Sequence, residues 1–240
     1  MAVFTSFQDV LPDPNNNIGS AGQTAGNAGP GFASVKITSE QPYMSTRTNS
    51  GRLLARAQAY HKYKINIKYN PMTRAEFEPI YTFLLQRRGP LNPFYVSLPQ
   101  YRTPQNSDFA AHVATENLEV TAAHSAGSTI MTLDGSTYDT STDSYPSPGD
   151  MFTINGTDSN HKKAYTVTRV ETNADYKDIQ PGVNEARIHF VPGLAKAVSN
   201  NDDIVFHNPL IKVVRVGNIE TYDLNTDNLY QFSLSLEEVQ

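Results

Sequence analysis

Residues 63–101 read YKINIKYNPMTRAEFEPIYTFLLQRRGPLNPFYVSLPQY, and three elements follow one another in them. Tyr63, Ile65, Ile67 and Tyr69 alternate with Lys64, Asn66 and Lys68, which is the period of a strand with one buried face. Thr73 and Glu76 then form a T-x-x-E capping box that opens a helix. Phe77, Ile80, Tyr81, Leu84 and Leu85 recur at helical spacing and make one apolar stripe. Arg87 and Arg88 in the last turn suit the helix dipole, and Gly89 with Pro90 supplies the stop. Pro79 sits too far in to be ideal and should loosen the helix start. Pro93–Leu98 closes the stretch as a short buried strand.

Working outward, the alternation extends back to Arg52. One long strand over 52–69 would carry Leu53, Ala55, Ala57, Ala59, Tyr63, Ile65, Ile67 and Tyr69 on one face. Its other face would carry Arg52, Arg56, Lys62, Lys64 and Lys68. A single strand of that length is unusual, so a bend or bulge near His61 is expected. The basic face is the one candidate surface for a polyanion or for a subunit interface; the alternative is a solvated strand face. Upstream, FASVKITS at 32–39 reads as another strand. Residues 13–31, DPNNNIGSAGQTAGNAGPG, have little to bury and read as a flexible arm or loop.

Downstream the texture changes. Residues 102–116 are polar without a helical period and read as a linker. Short strands follow at 117–121, 129–133, 151–154, 164–170, 187–191 and 204–206, with a Ser/Thr/Asp/Pro-rich loop at 134–149 and a turn or helical piece at 192–201. Such a run predicts a small barrel of the oligonucleotide/oligosaccharide-binding type. Strong alternation returns at 210–216 and at 229–239, where Tyr230, Phe232, Leu234 and Leu236 share a face. These two strands are expected to pair antiparallel. The chain therefore reads as an outer domain, 1–101 with 208–240, and a barrel inserted at 102–207.

Composition agrees with a mainly β chain. Aromatic residues number 13 Tyr and 11 Phe, and only 18% of the 240 residues are charged. The net charge of −5 argues against a dedicated nucleic-acid binder. The absence of cysteine excludes disulfides and thiol chemistry. Met1–Leu11 lacks the pattern of a signal peptide, and no apolar run reaches membrane-spanning length, so no membrane anchor is expected.

No catalytic, cofactor or metal constellation emerges. The six histidines show no H-x-x-x-H or H-E-x-x-H spacing, and Asp139, Asp143 and Asp150 do not have the spacing of a calcium loop. Glu237 and Glu238 would point to opposite faces of one strand, so they cannot converge on a substrate. Asn155-Gly156-Thr157 matches a glycosylation acceptor but reads more simply as a hairpin turn. A spatial cluster, for example of His189 with nearby acids, would reopen an enzymatic reading.

The strand, capped helix ending in R-R-G, and aromatic strand of 63–101 resemble the distal tail and related hub-ring proteins of tailed bacteriophages. LYQFSLSLEEV at 229–239 resembles the closing strand of that domain. PGDMFTING, KAYTVTRV and HFVPGL resemble barrel insertions of minor tail proteins. The resemblance implies a tail-tube-like β-barrel or sandwich with one packed helix. It implies six copies closing a ring that continues the tail tube, docks baseplate, tip or fibre proteins, and passes DNA only in transit. The place implied is the virion's tail tip or baseplate, assembled in the host cytoplasm. The competing expectation is a carbohydrate- or receptor-binding module of a virion, which an exposed aromatic platform on the inserted barrel would favour.

Overall fold

The computed structural model describes residues 9–11, 32–57, 60–155, 163–171, 185–217 and 222–239. The arm at 13–31, Ala59 and the Gly156-Thr157 turn lie outside them. In the first part of the chain, β1 is Phe32–Glu40, β2 Tyr43–Arg47, β3 Leu53–Ala57, β4 Lys62–Tyr69, α1 Arg74–Arg87 and β5 Phe94–Ser97. Then come α2 Ser107–Val113, β6 Leu118–Val120, β7 Ile130–Asp134, β8 Met151–Asn155, β9 Ala164–Glu171, β10 Ala186–Val191 and β11 Asp203–Val205. The last strands are β12 Leu210–Arg215, β13 Asp223–Leu224, β14 Tyr230–Gln231 and β15 Ser233–Glu238. The protein is mainly β, with a closed six-stranded barrel, a five-stranded sheet and helix α1 beside that sheet. It divides into two compact units, Met1–Tyr95 with Val213–Val239, and Val96–Lys212. The division falls within β5 and β12 rather than at 101 and 208.

The first unit is built on a sheet of order β1-β4-β15-β12-β5. Its central strand shows why the alternation matters. Tyr63, Ile65, Ile67 and Tyr69 are buried, at 5% exposure or less. Ile65 and Ile67 face Leu236 and Leu234 of β15 across an antiparallel register. The expected pairing of the two C-terminal strands is present: β12 and β15 run antiparallel with Val214 opposite Glu237.

Helix α1 begins as its sequence dictates. The Glu76 carboxylate accepts from the Thr73 N–H at 2.9 Å and from its hydroxyl at 2.8 Å. The stripe, however, is Phe77, Ile80, Phe83 and Leu84. Leu85 is half exposed and Tyr81 only partly buried, while Phe83 turns inward, so the sequence stripe was rotated toward the wrong edge. The reason is Phe83's edge-on contact with Phe94 of β5, 5.4 Å between ring centres. Arg88, not Gly89, is the first left-handed residue after the helix, at φ 54°. Arg87 lies over the Phe83 ring and pairs with Asp9 at 2.6 Å, beside the Val10 bridge to Tyr95.

The largest correction concerns residues 52–69. They are not one bent strand. β3 leaves the sheet and, among the described residues, pairs only with β2 in a two-stranded ribbon, while β4 pairs with β1 and β15. Tyr43–Arg47 was not foreseen as a strand, because its polar residues show no alternation.

The second unit is a closed barrel of order β10-β7-β6-β11-β8-β9. Phe152, Tyr165, Phe190 and Phe206 meet at ring-centre distances of 5.1–5.6 Å inside it. Residues 102–116 are no linker: they contain α2, whose N-cap Asn106 accepts from the Asp108 and Phe109 amides. Phe109 and Val113 plug the barrel, but two apolar positions one turn apart were too few to read as a period. Of the turn or helical piece expected at 192–201, the turn is what forms; there Gly193 passes so close that a Cβ would lie 2.8 Å from the Gly127 carbonyl oxygen.

Candidate functional site

The predicted basic face is dismantled by the fold. Lys62 and Lys64 lie on β4 among carboxylates: Lys62 bonds Glu237, Lys64 reaches Glu40 at 3.0 Å, and Lys62 is 3.9 Å from Glu40. The hydrogen bond from Lys64 lowers the Glu40 pKa, and that to Glu237 raises that of Lys62. Lys68 is exposed farther along the same strand. Arg52 and Arg56 belong to the separate ribbon. Thus no continuous polyanion track runs over the five residues. Glu237 and Glu238 do diverge: Glu238 is buried and accepts from the Tyr63 amide at 3.2 Å.

The ribbon is the feature sequence reasoning missed. Every residue of β2 is exposed, and so are Leu53, Leu54, Ala55 and Arg56 of β3. Its exposures include Tyr43 at 70%, Met44 at 66% and Leu53 at 56%. Register places Tyr43 opposite Ala57 and Arg47 opposite Leu53 on one face, and Met44 opposite Arg56 and Thr46 opposite Leu54 on the other. Both faces therefore carry apolar side chains in water. Gly51, at φ 82°, makes the turn, with its amide bonded to the Thr48 carbonyl at 2.8 Å. The only sequence signal was TNSG at 48–51, a turn between two apolar-containing runs.

A second ribbon, β13–β14, lies at the other end of β4. Tyr69 donates its amide to Phe232, and Met72 bridges Tyr230. Tyr230 stacks on Phe77 of α1 at 4.6 Å, and Tyr222 contacts Phe77 at 4.9 Å. A groove of about 280 Å³ here is lined by residues including Lys68, Tyr69, Asp223 and Phe232.

The histidines do not converge. His61 bonds Ser39 at 2.6 Å, His112 lies 3.3 Å from Asp143, and His124 has its pKa lowered by burial and by Arg187. His161 lies outside the described residues. Among the described residues no group of three or more metal-ligating side chains is assembled. His189 does meet an acid: its Nε2 lies 2.6 Å from Glu171, which Arg169 and Arg187 approach at 3.5 and 3.6 Å. His189, Glu171, Arg169 and Arg187 thus form one polar cluster across the adjacent strands β9 and β10.

No protein-family model matches this chain, and no curated protein is significantly similar to it.

Six of the barrel unit's described rings are spent on its core. Phe109, Tyr138, Phe152, Tyr165, Phe190 and Phe206 are all 1% exposed or less. Among the described residues, the barrel unit's one strongly exposed large apolar side chain is Val191.

Proposed function

We propose that this chain is a structural, ring-forming component of a phage tail tip or baseplate. In this reading copies of it continue the tail tube, dock baseplate or fibre proteins, and surround a path that DNA crosses only in transit. The observation that carries the assembly part is the free-standing β2–β3 ribbon. Two strands alone are marginal in water, and this ribbon adds exposed Tyr43, Met44, Leu53 and Leu54. Such a surface belongs against a partner. The outer edge of β1, nine residues long and paired, among the described residues, only on its β4 side, supports the same reading, since ring closure pairs or covers free edges. The phage assignment itself rests on the sequence resemblance of 63–101 and 229–239.

A carbohydrate-binding module would present ring faces to solvent, and Phe109, Tyr138, Phe152, Tyr165, Phe190 and Phe206 are buried, so that reading draws no support from the described residues. The test is the mass of the purified chain by multi-angle scattering, with negative-stain images. A closed ring near six times 26.5 kDa with a central hole is expected. A monomer at every concentration would overturn the self-assembling ring.

A further inference from the structure

The ring reading leaves open which surface receives the ribbon, and the charges answer it. The ribbon carries Arg47, Arg52 and Arg56, and no Asp or Glu between Tyr43 and Ala57. None of the three arginines is in an ion pair among the described residues. The β13–β14 ribbon is its opposite. Residues 222–231, YDLNTDNLYQ, carry Asp223 and Asp227 and no Lys or Arg. Both aspartates are exposed and likewise outside any ion pair among the described residues. Each ribbon also shows bare apolar groups: Tyr222 is 46% and Leu224 53% exposed, against 46% for Leu54. Beside β13–β14 the groove lined by Tyr69, Phe232 and Asp223 offers a concave seat, with Lys68 the one cation on its wall among the described residues.

Position decides how two such surfaces meet. The basic ribbon leaves the sheet where Glu40 pairs with Lys62, and the acidic ribbon sits where Phe32 pairs with Tyr69. These are opposite ends of β4, roughly 25 Å apart at the rise of a strand. Contact between a basic end and an acidic end joins different copies head to tail, the kind of contact that closes a ring when the rotation permits.

We propose that the Tyr43–Ala57 ribbon of one copy docks on the β13–β14 ribbon and adjoining groove of a second copy. The face that carries Met44, Leu54 and Arg56 makes the contact: Arg52 and Arg56 face Asp223 and Asp227, and Met44 and Leu54 cover Tyr222 and Leu224. This rests on the ring reading and specifies its contact.

The experiment uses full-length chains and sedimentation velocity. R52E/R56E and D223K/D227K change only exposed side chains. Each is expected to weaken self-association by about tenfold or more, and the four substitutions together to restore it. Association should also weaken as salt is raised. The chain has no cysteine, so L54C and L224C can be placed on separate chains and linked by a short bis-maleimide. A cross-linked pair should form when the two are mixed and not from either alone. Assembly untouched by D223K/D227K, with no cross-link, would overturn this docking while leaving the ring standing. A wild-type chain that never associates would overturn both.

Discussion

Glu116 shows how much one side chain outside any site can hold. Its carboxylate accepts from the Ser136 amide at 2.7 Å, from the Ser136 hydroxyl at 2.5 Å and from the Thr137 hydroxyl. The hydroxyl bonds of Ser136 and Thr137 pull its pKa from 4.5 down to about 2. In the unfolded chain the group protonates near its ordinary value while the folded form stays ionised. The stability it contributes is therefore complete above pH 4.5 and is lost as pH falls toward 2. Glu116→Gln should cost about 1–2 kcal/mol at neutral pH. It should also flatten the fall in stability between those two pH values, as read by urea titrations at several pH values. An unchanged pH slope would sink this account. Asp150 is the companion case in which local sequence was enough. Its Pro148-Gly149 context reads as a turn, and its two oxygens indeed accept the Ser147 amide at 2.7 Å and the Gln105 amide at 3.0 Å. The first bond spans three residues and is visible in sequence; the second spans forty-five and is not.

At the scale of elements, α1 separates what spacing can say from what packing decides. Start, length and approximate buried side all follow from Thr73, Glu76 and the apolar recurrence. The choice between Phe83 and Leu85 does not, because both border the same stripe and only a ring on another strand distinguishes them. Phe83→Ala should cost about 3–5 kcal/mol by removing contacts with Phe94 and Arg87. Leu85→Ala should change stability by about 0.5 kcal/mol or less in the unassembled chain. Denaturant midpoints of the two variants decide it, and equal effects would mean the helix is rotated from its described position. α2 was invisible for a related reason: a seven-residue helix offers too few turns for a period, and its evidence is the Asn106 cap and the barrel it plugs.

For the whole molecule, the two compact units each enclose their own apolar interior, and the barrel's aromatic cluster lies wholly within residues 109–206. A chain comprising residues 96–212 should therefore unfold cooperatively by itself, with near-ultraviolet circular dichroism showing fixed aromatic packing. A fragment with strand content but no near-ultraviolet signal would mean that the barrel needs the other unit. The histidine and acid contacts that the barrel brings together, His189 with Glu171 and His112 with Asp143, join residues far apart in sequence and carry no spacing signal at all.

By itself the sequence determined the period of the longer strands outside β2, the capped helix, and a change of texture between the chain's outer and middle parts, because these depend on neighbours a few residues apart. Tertiary structure alone decided the partners. Residues 53–57 and 62–69 alternate alike, yet β4 gains a paired strand on both edges while β3, among the described residues, gains only β2. Alternation records which side chains share a face, whereas burial depends on what lies against that face. The basic residues parted for the same reason: Lys62 and Lys64 met Glu40 and Glu237 from other strands, and Arg52 and Arg56 were left in water.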